Sequence, residues 1–320
     1  MKVLVTGATG FLGRALIARL AADNRFVPRA ASRCDERGWR DRVETVQVGD
    51  LSADTDWSDA VREVDIVIHT AARVHVMKDK AQDPLSEYRR VNMAGTLNLA
   101  HKAAEAGVRR FIFISSVKVN GESTPLNCPF QVEDMPVPLD PYGISKHETE
   151  EALRRLSTKI GMEVVVIRPP LVYGPGVKAN FLKMMRWIYK KVPLPLGAIH
   201  NKRSMVALDN LVHLIVTCIQ HPAAANQTFL VSDDEDISTT ELLQRMAAAL
   251  GKPGRLLPIP AWVINAGVVL IGRRDLAQRL LGSLQVDISK TKEVLGWSPL
   301  VSVDDALKKT AEDFLFRQKC

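Results

Sequence analysis

Cysteine is scarce in this 320-residue chain. Cys34, Cys128, Cys218 and Cys320 stand far apart with no C-x-x-C pair. That scatter excludes a disulfide framework and a cysteine-built zinc site, and it is the usage expected of a reduced, cytoplasmic protein. The seven histidines show no metal-ligand spacing either, so no metal is expected. Long apolar runs are also missing. The longest, Ala261 to Ile271, falls short of the ~20 residues that cross a bilayer. It reads as a core helix, with contact to a membrane surface as the second reading. The apolar residues after Met1-Lys2 are broken by Gly7, Gly10, Gly13 and Arg14, with no small-residue cleavage site beyond them. A secretion signal is therefore not expected.

Basic residues are in excess, giving a net charge of +7, but doublets such as Arg89-Arg90, Arg109-Arg110 and Lys190-Lys191 are dispersed. With no basic cluster and no recognition motif, nucleic-acid binding is not expected. A mild positive field does suit capture of a diphosphate ligand. There is no G-x-S-x-G elbow and Ser116 has no evident histidine partner, which argues against a hydrolase.

What is present is alternation. Strand-like segments at Lys2–Thr6, Phe26–Ser32, Thr45–Val48, Asp65–His69, Phe111–Ser115 and Val164–Ile167 are interleaved with helical spacing at Leu12–Ala22, Tyr88–Ala106 and Ser145–Lys159. That order predicts βαβ units and an α/β fold, a Rossmann-type doubly wound parallel sheet. After Arg168 the texture changes. Prolines 169, 170, 175, 193 and 195 mark irregular chain, Met205–Ile219 is regular and apolar again, and Ser238 with Glu241 forms a capping box. Residues 1–170 with about 205–232 are expected to bind a dinucleotide. Residues 171–204 with 233–320 are expected to form a smaller, interleaved substrate domain.

The run Thr6-Gly7-Ala8-Thr9-Gly10-Phe11-Leu12-Gly13 lies where the first strand turns into the first helix. Glycines there permit the tight turn, the approach of a pyrophosphate and close helix packing. The helix start offers N–H donors to the phosphates. Gly7, Thr9, Gly10, Phe11, Leu12 and Gly13 are thus cofactor candidates. The second strand ends in Ser32-Arg33. An arginine there favours the 2′-phosphate of NADP, while Asp35 and Glu36 nearby keep NAD open. Asp50-Leu51 is placed for the adenine, and Ala71-Ala72 for close passage of backbone along the cofactor.

Tyr142 and Lys146 are four residues apart, on one helix face, behind a predicted Asp140 cap and Pro141 first turn. An ammonium ~4 Å from the phenol at an effective dielectric of ~20 favours the phenolate by roughly 4 kcal/mol, about 3 pKa units. This predicts an acid–base tyrosine near neutrality. Ser116, at the end of the fifth strand, sits at the carboxyl edge where ligands bind.

Glycine loop, strand-end serine and Tyr-x-x-x-Lys, in that order, make the chain resemble an extended short-chain dehydrogenase/reductase of the NAD-dependent nucleotide-sugar epimerase/dehydratase family, from Thr6 to about Pro299. The resemblance implies Tyr142 as acid/base, Lys146 as its tuner and a ribose ligand, and Ser116 as partner. It places Arg168-Pro169-Pro170 beside the nicotinamide. It makes Lys118, Asn180, Arg203 and Arg279 substrate contacts, gives Asn92 a structural role, and implies a homodimer through the helices near 88–106 and 145–159. Family dehydratases carry an acidic pair after the strand-end hydroxyl. Val117-Lys118 stand there instead, which argues against dehydration. The segment Ser115 to Glu122 resembles the bacterial O-antigen branch. The expected reaction is NAD(P)-dependent hydride transfer at C4 of a UDP-hexose, as 4-epimerase or 4-keto-sugar reductase. Reduction of a steroid- or flavonoid-type ketone, or non-catalytic NADP sensing, are the alternatives. Asn180 and Arg203 argue against the first, and the intact Tyr142 and Lys146 against the second.

Overall fold

Apolar residues alternate between two cores along each central strand, and this fixes the sheet. In a computed structural model that describes residues 1–33, 39, 43–74, 83–270, 278 and 280–319, the strands are β1 (Lys2–Thr6), β2 (Val27–Ser32), β3 (Glu44–Gln47), β4 (Ile66–His69), β5 (Arg110–Ile114), β6 (Glu163–Arg168), β7 (Leu171–Tyr173), β8 (Met205–Ala207) and β9 (Thr228–Leu230). Val3, Val5, Ile66, Ile68, Ile112 and Ile114 enter one core, while their neighbours Leu4, Val67, Phe111 and Phe113 enter the other. A strand's side chains point to alternate faces, so a sheet buried on both sides needs apolar residues at every position. All pairings in this seven-stranded sheet are parallel, in the order β3-β2-β1-β4-β5-β6-β9. The order reverses between β1 and β4, the point where open α/β sheets bind ligands.

Helices α1 (Phe11–Ala21) and α7 (Leu208–Gln220) cover the first face through Leu16, Ile17, Leu211 and Ile215. The second face is covered by α4 (Gly95–Glu105) and α5 (Pro141–Ile160), with Leu99, Ala103, Leu153 and Leu156. The helix expected over 88–106 is composite. Helix α3 (Pro84–Tyr88) passes through a π-helical turn, Arg89–Ala94, into α4. Such a turn inserts an extra residue and commonly marks a functional site.

A separate core is built from α6 (Ala179–Tyr189), α8 (Thr239–Ala249) and α11 (Val303–Lys319), through Phe181, Met185, Leu243, Met246, Leu307 and Phe314. Between α8 and α11 lie α9 (Ala261–Leu270) and α10 (Ser289–Leu295). The capping box of α8 is present, with both reciprocal hydrogen bonds. The stretch 205–219 is regular and apolar as expected, as β8, which pairs with β7 in a two-stranded sheet, followed by α7. One expectation needs correction. The apolar run from Ala261 is not a core helix. Trp262 is 74% exposed, and among the helix's described side chains only Ala261 and Ile264 pack on the second core. Apolar content alone does not distinguish a buried helix from an exposed one, and α6, α8 and α11 already close this core.

An ion pair buried between α5 and β6 ties helix to sheet. Arg168 and Glu150 side chains are 2% and 0% exposed and meet at 2.6 Å. Ser115 donates to the same carboxylate at 2.5 Å, and Arg168 donates to Asn120 at 3.0 Å. Removing one partner of such a pair strands a buried charge, at about 3–5 kcal/mol. Arg168→Met is accordingly expected to lower stability by about that amount in urea titration, and Arg168→Met/Glu150→Leu to recover most of it. Equal stability of the single variant and the wild type would refute this.

Candidate active site

The loop after β1 is shaped by what its glycines lack. Gly7 has φ +65°, and a Cβ there would lie 2.8 Å from the Ala71 nitrogen. A Cβ on Gly13 would lie 2.1 Å from the Gly7 carbonyl oxygen. Gly10 N–H donates to that same carbonyl at 2.9 Å, closing the turn. Helix α1 begins at Gly10 without a side-chain cap or an acid in its first turn, whereas Asp140 caps α5 and Ser238 caps α8. The amides of the first turn, at Phe11, Leu12 and Gly13, have no intrahelical acceptor. A bare helix start behind a side-chain-free turn fits a pyrophosphate. Thr9, at the turn's outer edge, gives its carbonyl to Arg14 Nε at 3.0 Å.

The loop is braced at the switch point. Thr70 Oγ1 donates to the Thr6 carbonyl at 2.7 Å, and Ala71 N–H reaches Thr6 Oγ1 at 3.4 Å. Ala71 and Ala72 leave β4 beside the loop. His69 lies beneath, hydrogen-bonded to Thr6 Oγ1 at 2.7 Å and Thr96 Oγ1 at 2.9 Å. Burial, with a smaller push from Lys146, lowers its pKa to about 3, so it stays neutral. At the end of β2, Ser32 is buried and Arg33 pairs with Asp50 at 3.1 Å, both side chains largely exposed. A hollow of about 460 Å³ opens beside Asp50. Leu51 packs against Gly95 of α4, where a Cβ would meet its Cγ at 2.7 Å. Asp35, Glu36 and Arg279 lie outside the described residues.

Asp140 starts α5 by accepting from Gly143 N–H at 2.6 Å, with Pro141 in the first turn, as expected. Tyr142 and Lys146 then face the ends of β5 and β6. The Tyr142 hydroxyl is hydrogen-bonded to Ser116. Lys146 Nζ donates to the Ile114 carbonyl at 2.8 Å and sits 4.4 Å from the Phe113 ring centroid and 5.8 Å from that of Tyr142. The electrostatics correct the expected near-neutral phenol. Burial is the dominant cause and raises the Tyr142 pKa, with Asp140 and Tyr88 adding to it and Ser116 opposing. Burial lowers Lys146 to about 7, against a smaller upward pull from Glu150. Desolvation outweighs the mutual attraction, because the ammonium points at a carbonyl and not at the phenol.

Several expected site residues already have partners. Lys118 is bound by Asp140 and by Glu122, the latter at 3.1 Å. Arg168 is held by Glu150 and Asn120, so its guanidinium positions the strand end, while Pro169 fixes the Ser116 turn by accepting from Val117 N–H at 3.0 Å. Asn180 is exposed on the first turn of α6. Arg203 donates to the Gly282 carbonyl at 3.1 Å, between backbone bridges to Ile237 and Leu284. Asn92, in the π-helical turn, clasps the Arg73 backbone in both directions, at 2.7 and 3.1 Å, and donates to Ser145 at 3.2 Å. Glu150 and His69 escaped the sequence reading. The signal for Glu150 was available, since it continues the Tyr142–Lys146 face at the same spacing. His69 gave none.

The profile of the NAD dependent epimerase/dehydratase family matches residues 3–232. A UDP-glucose 4-epimerase of Vibrio cholerae is 50% identical over 315 residues, covering 98% of this chain and 95% of the relative. Among solved structures, a UDP-glucuronic acid 4-epimerase from Bacillus cereus in complex with NAD superposes with TM-score 0.78 at 21% identity, covering 99% of both chains. RMD from Pseudomonas aeruginosa complexed with NADPH superposes at 0.75 and 22% identity, covering 98% of this chain and 99% of that one. Both share the fold.

The lowered Lys146 pKa has a measurable consequence. The unfolded side chain titrates near 10.5 and the folded one near 7, so between these values the unfolded state binds more protons and stability rises with pH. The cofactor-free wild type should gain stability relative to Lys146→Met from pH 7 to pH 9 in urea titration. A difference independent of pH would refute the assignment.

Proposed function

The chain belongs to the NAD dependent epimerase/dehydratase family, and on that premise we propose that it is a UDP-hexose 4-epimerase. One observation carries the reading: Ser116, Tyr142 and Lys146 converge at the carboxyl edge of the sheet, beside a loop shaped for a pyrophosphate. The relative at 50% identity supports epimerisation over one-way reduction of a 4-keto sugar. In this reading residues 1–170 with about 205–232 hold the dinucleotide, and 171–204 with 233–320 hold the nucleotide sugar.

Bound on the glycine loop, a nicotinamide dinucleotide supplies a reversible hydride acceptor. Ser116 Oγ holds the C4 oxygen. Tyr142 first yields its own proton to Lys146, and as the phenolate takes the proton of the C4 hydroxyl while C4 becomes a carbonyl; it returns that proton once the sugar presents its other face. Lys146, poised near neutrality by burial, balances the phenolate charge and keeps the proton on the Tyr142–Lys146 pair between the two transfers. Asn180 and Arg203 are the proposed contacts for the nucleotide diphosphate. Dehydration would need an acid pair where Val117 and Lys118 stand. The Arg33–Asp50 pair supports NAD over NADP, since a 2′-phosphate at Arg33 would meet the Asp50 carboxylate. The resemblance of Ser115–Glu122 to the O-antigen branch supports a role in supplying sugars for a bacterial surface polysaccharide.

The test is proton NMR of the purified protein with UDP-glucose and UDP-N-acetylglucosamine. Inversion at C4 without consumption of added nicotinamide cofactor is expected, and denaturation should release NAD. Stoichiometric oxidation of NADPH with a 4-keto sugar would show a reductase instead. Tyr142→Phe should lower kcat by about 10²–10⁴-fold, with UDP-sugar affinity retained in calorimetry. Full turnover by that variant would overturn the assignment.

We also propose a homodimer through the helices spanning 88–106 and 145–159. A groove of about 450 Å³, lined by Arg89, Met93, His147, Glu148, Glu151 and Arg155 of these helices, is the surface that such pairing would cover. A monomeric mass by light scattering would reject it.

A further inference from the structure

Helix α9 carries no charged residue between Ala261 and Leu270. A helix apolar all round belongs in a core or against lipid. Yet Trp262 is 74% exposed and Leu270 86%, and Val263 and Leu257 extend the apolar surface. An apolar segment of this length outside a core is of the kind that lies in a membrane interface or re-enters it, and no helix among the described residues is long and apolar enough to cross a membrane.

The surroundings of α9 are basic. Chain leaving α6 runs parallel to the stretch entering α9, with bridges Leu194 to Leu256 and Ala198 to Pro260. Leu194 N–H donates to the Arg255 carbonyl at 2.9 Å, and Leu257 N–H to the Leu194 carbonyl at 2.8 Å. This brings the Lys190–Lys191 turn alongside Lys252 and Arg255, and Lys252 Nζ lies 5.1 Å over the Tyr189 ring centroid. There is no acidic residue in 179–198 or in 251–270. Among the described residues none of these four cations forms an ion pair.

We propose that α9 and its basic rim dock the enzyme on an anionic phospholipid surface. The apolar side chains enter the boundary between headgroups and acyl chains, and the lysines and arginine face lipid phosphates. Trp262, at the start of the helix, is the residue type that favours this boundary. A second copy fits the face poorly, because two-fold pairing sets the same patch against itself and would bring the two basic rims together. The inference is independent of the sugar substrate.

Flotation of the full-length protein with phosphatidylcholine vesicles, with and without phosphatidylglycerol, tests the proposal. Binding is expected only with the anionic lipid and should weaken in concentrated salt. Lys190→Gln/Lys191→Gln should lower partitioning about 25-fold, at about fivefold per basic side chain. Trp262→Ser should also lower it, and both variants should keep wild-type circular dichroism and UDP-hexose turnover without vesicles. Absence of wild-type binding, or binding unchanged in both variants, overturns the proposal. So does a wild-type oligomer without vesicle affinity that Trp262→Ser dissociates, which would assign the face to a second copy.

Discussion

The active site depends on satisfying polar groups that α5 buries against the sheet. Tyr142, Lys146 and Glu150 follow one another at helical spacing on one face, and Lys146 and Glu150 are almost wholly enclosed. Each needs a partner, because an unpaired buried polar group destabilises the fold by its full desolvation penalty. The ends of β5 and β6 provide them: the Ile114 carbonyl for Lys146, and Ser115 and Arg168 for Glu150. Since the partners come from strand ends, the helix cannot slide or rotate without breaking several at once. The same bonds that hold α5 to the sheet therefore fix the position of Tyr142 relative to Ser116.

Enclosure also sets the electrostatics. Both members of the Tyr142–Lys146 pair are driven toward their neutral forms, the phenol upward and the amine downward. Catalysis as proposed requires one proton to pass from the phenol to the amine, so Lys146 Nζ, held on the Ile114 carbonyl, must turn toward Tyr142 to take it. Neutral His69 below the site adds no charge of its own, because burial holds its pKa to about 3.

Features carried by local spacing were legible in the sequence. The glycine loop, the Asp140-Pro141 helix start, the Ser238 capping box and the alternation of strands with helices all follow from residues close together in the chain. What was not legible involves partners far apart. Lys118 looked available for substrate until Asp140 closed on it, and Arg168 for the nicotinamide until Glu150 did. Asn92, in the π-helical turn, bonds to Arg73 and Ser145 on other segments. The Tyr142 shift went the other way because distance alone was considered, whereas burial supplied the larger effect. Exposure of α9 was invisible for a related reason, since only the assembled second core shows that its apolar interior is already filled.

These internal pairings divide labour between the two cores. On the sheet side, Lys118 and Arg168 are neutralised within the protein, and Ser116 and Tyr142 are the groups proposed to meet a sugar hydroxyl. A substrate carrying two phosphates needs countercharge from elsewhere. Arg203 stands in a segment bridged to Ile237 and Leu284, and Asn180 opens α6, so both proposed diphosphate contacts belong to the second core. On the proposed reading, chemistry at C4 belongs to the sheet and the choice of nucleotide sugar to the second core. Changes in that core can alter specificity without disturbing the strand-end bonds on which Tyr142 depends.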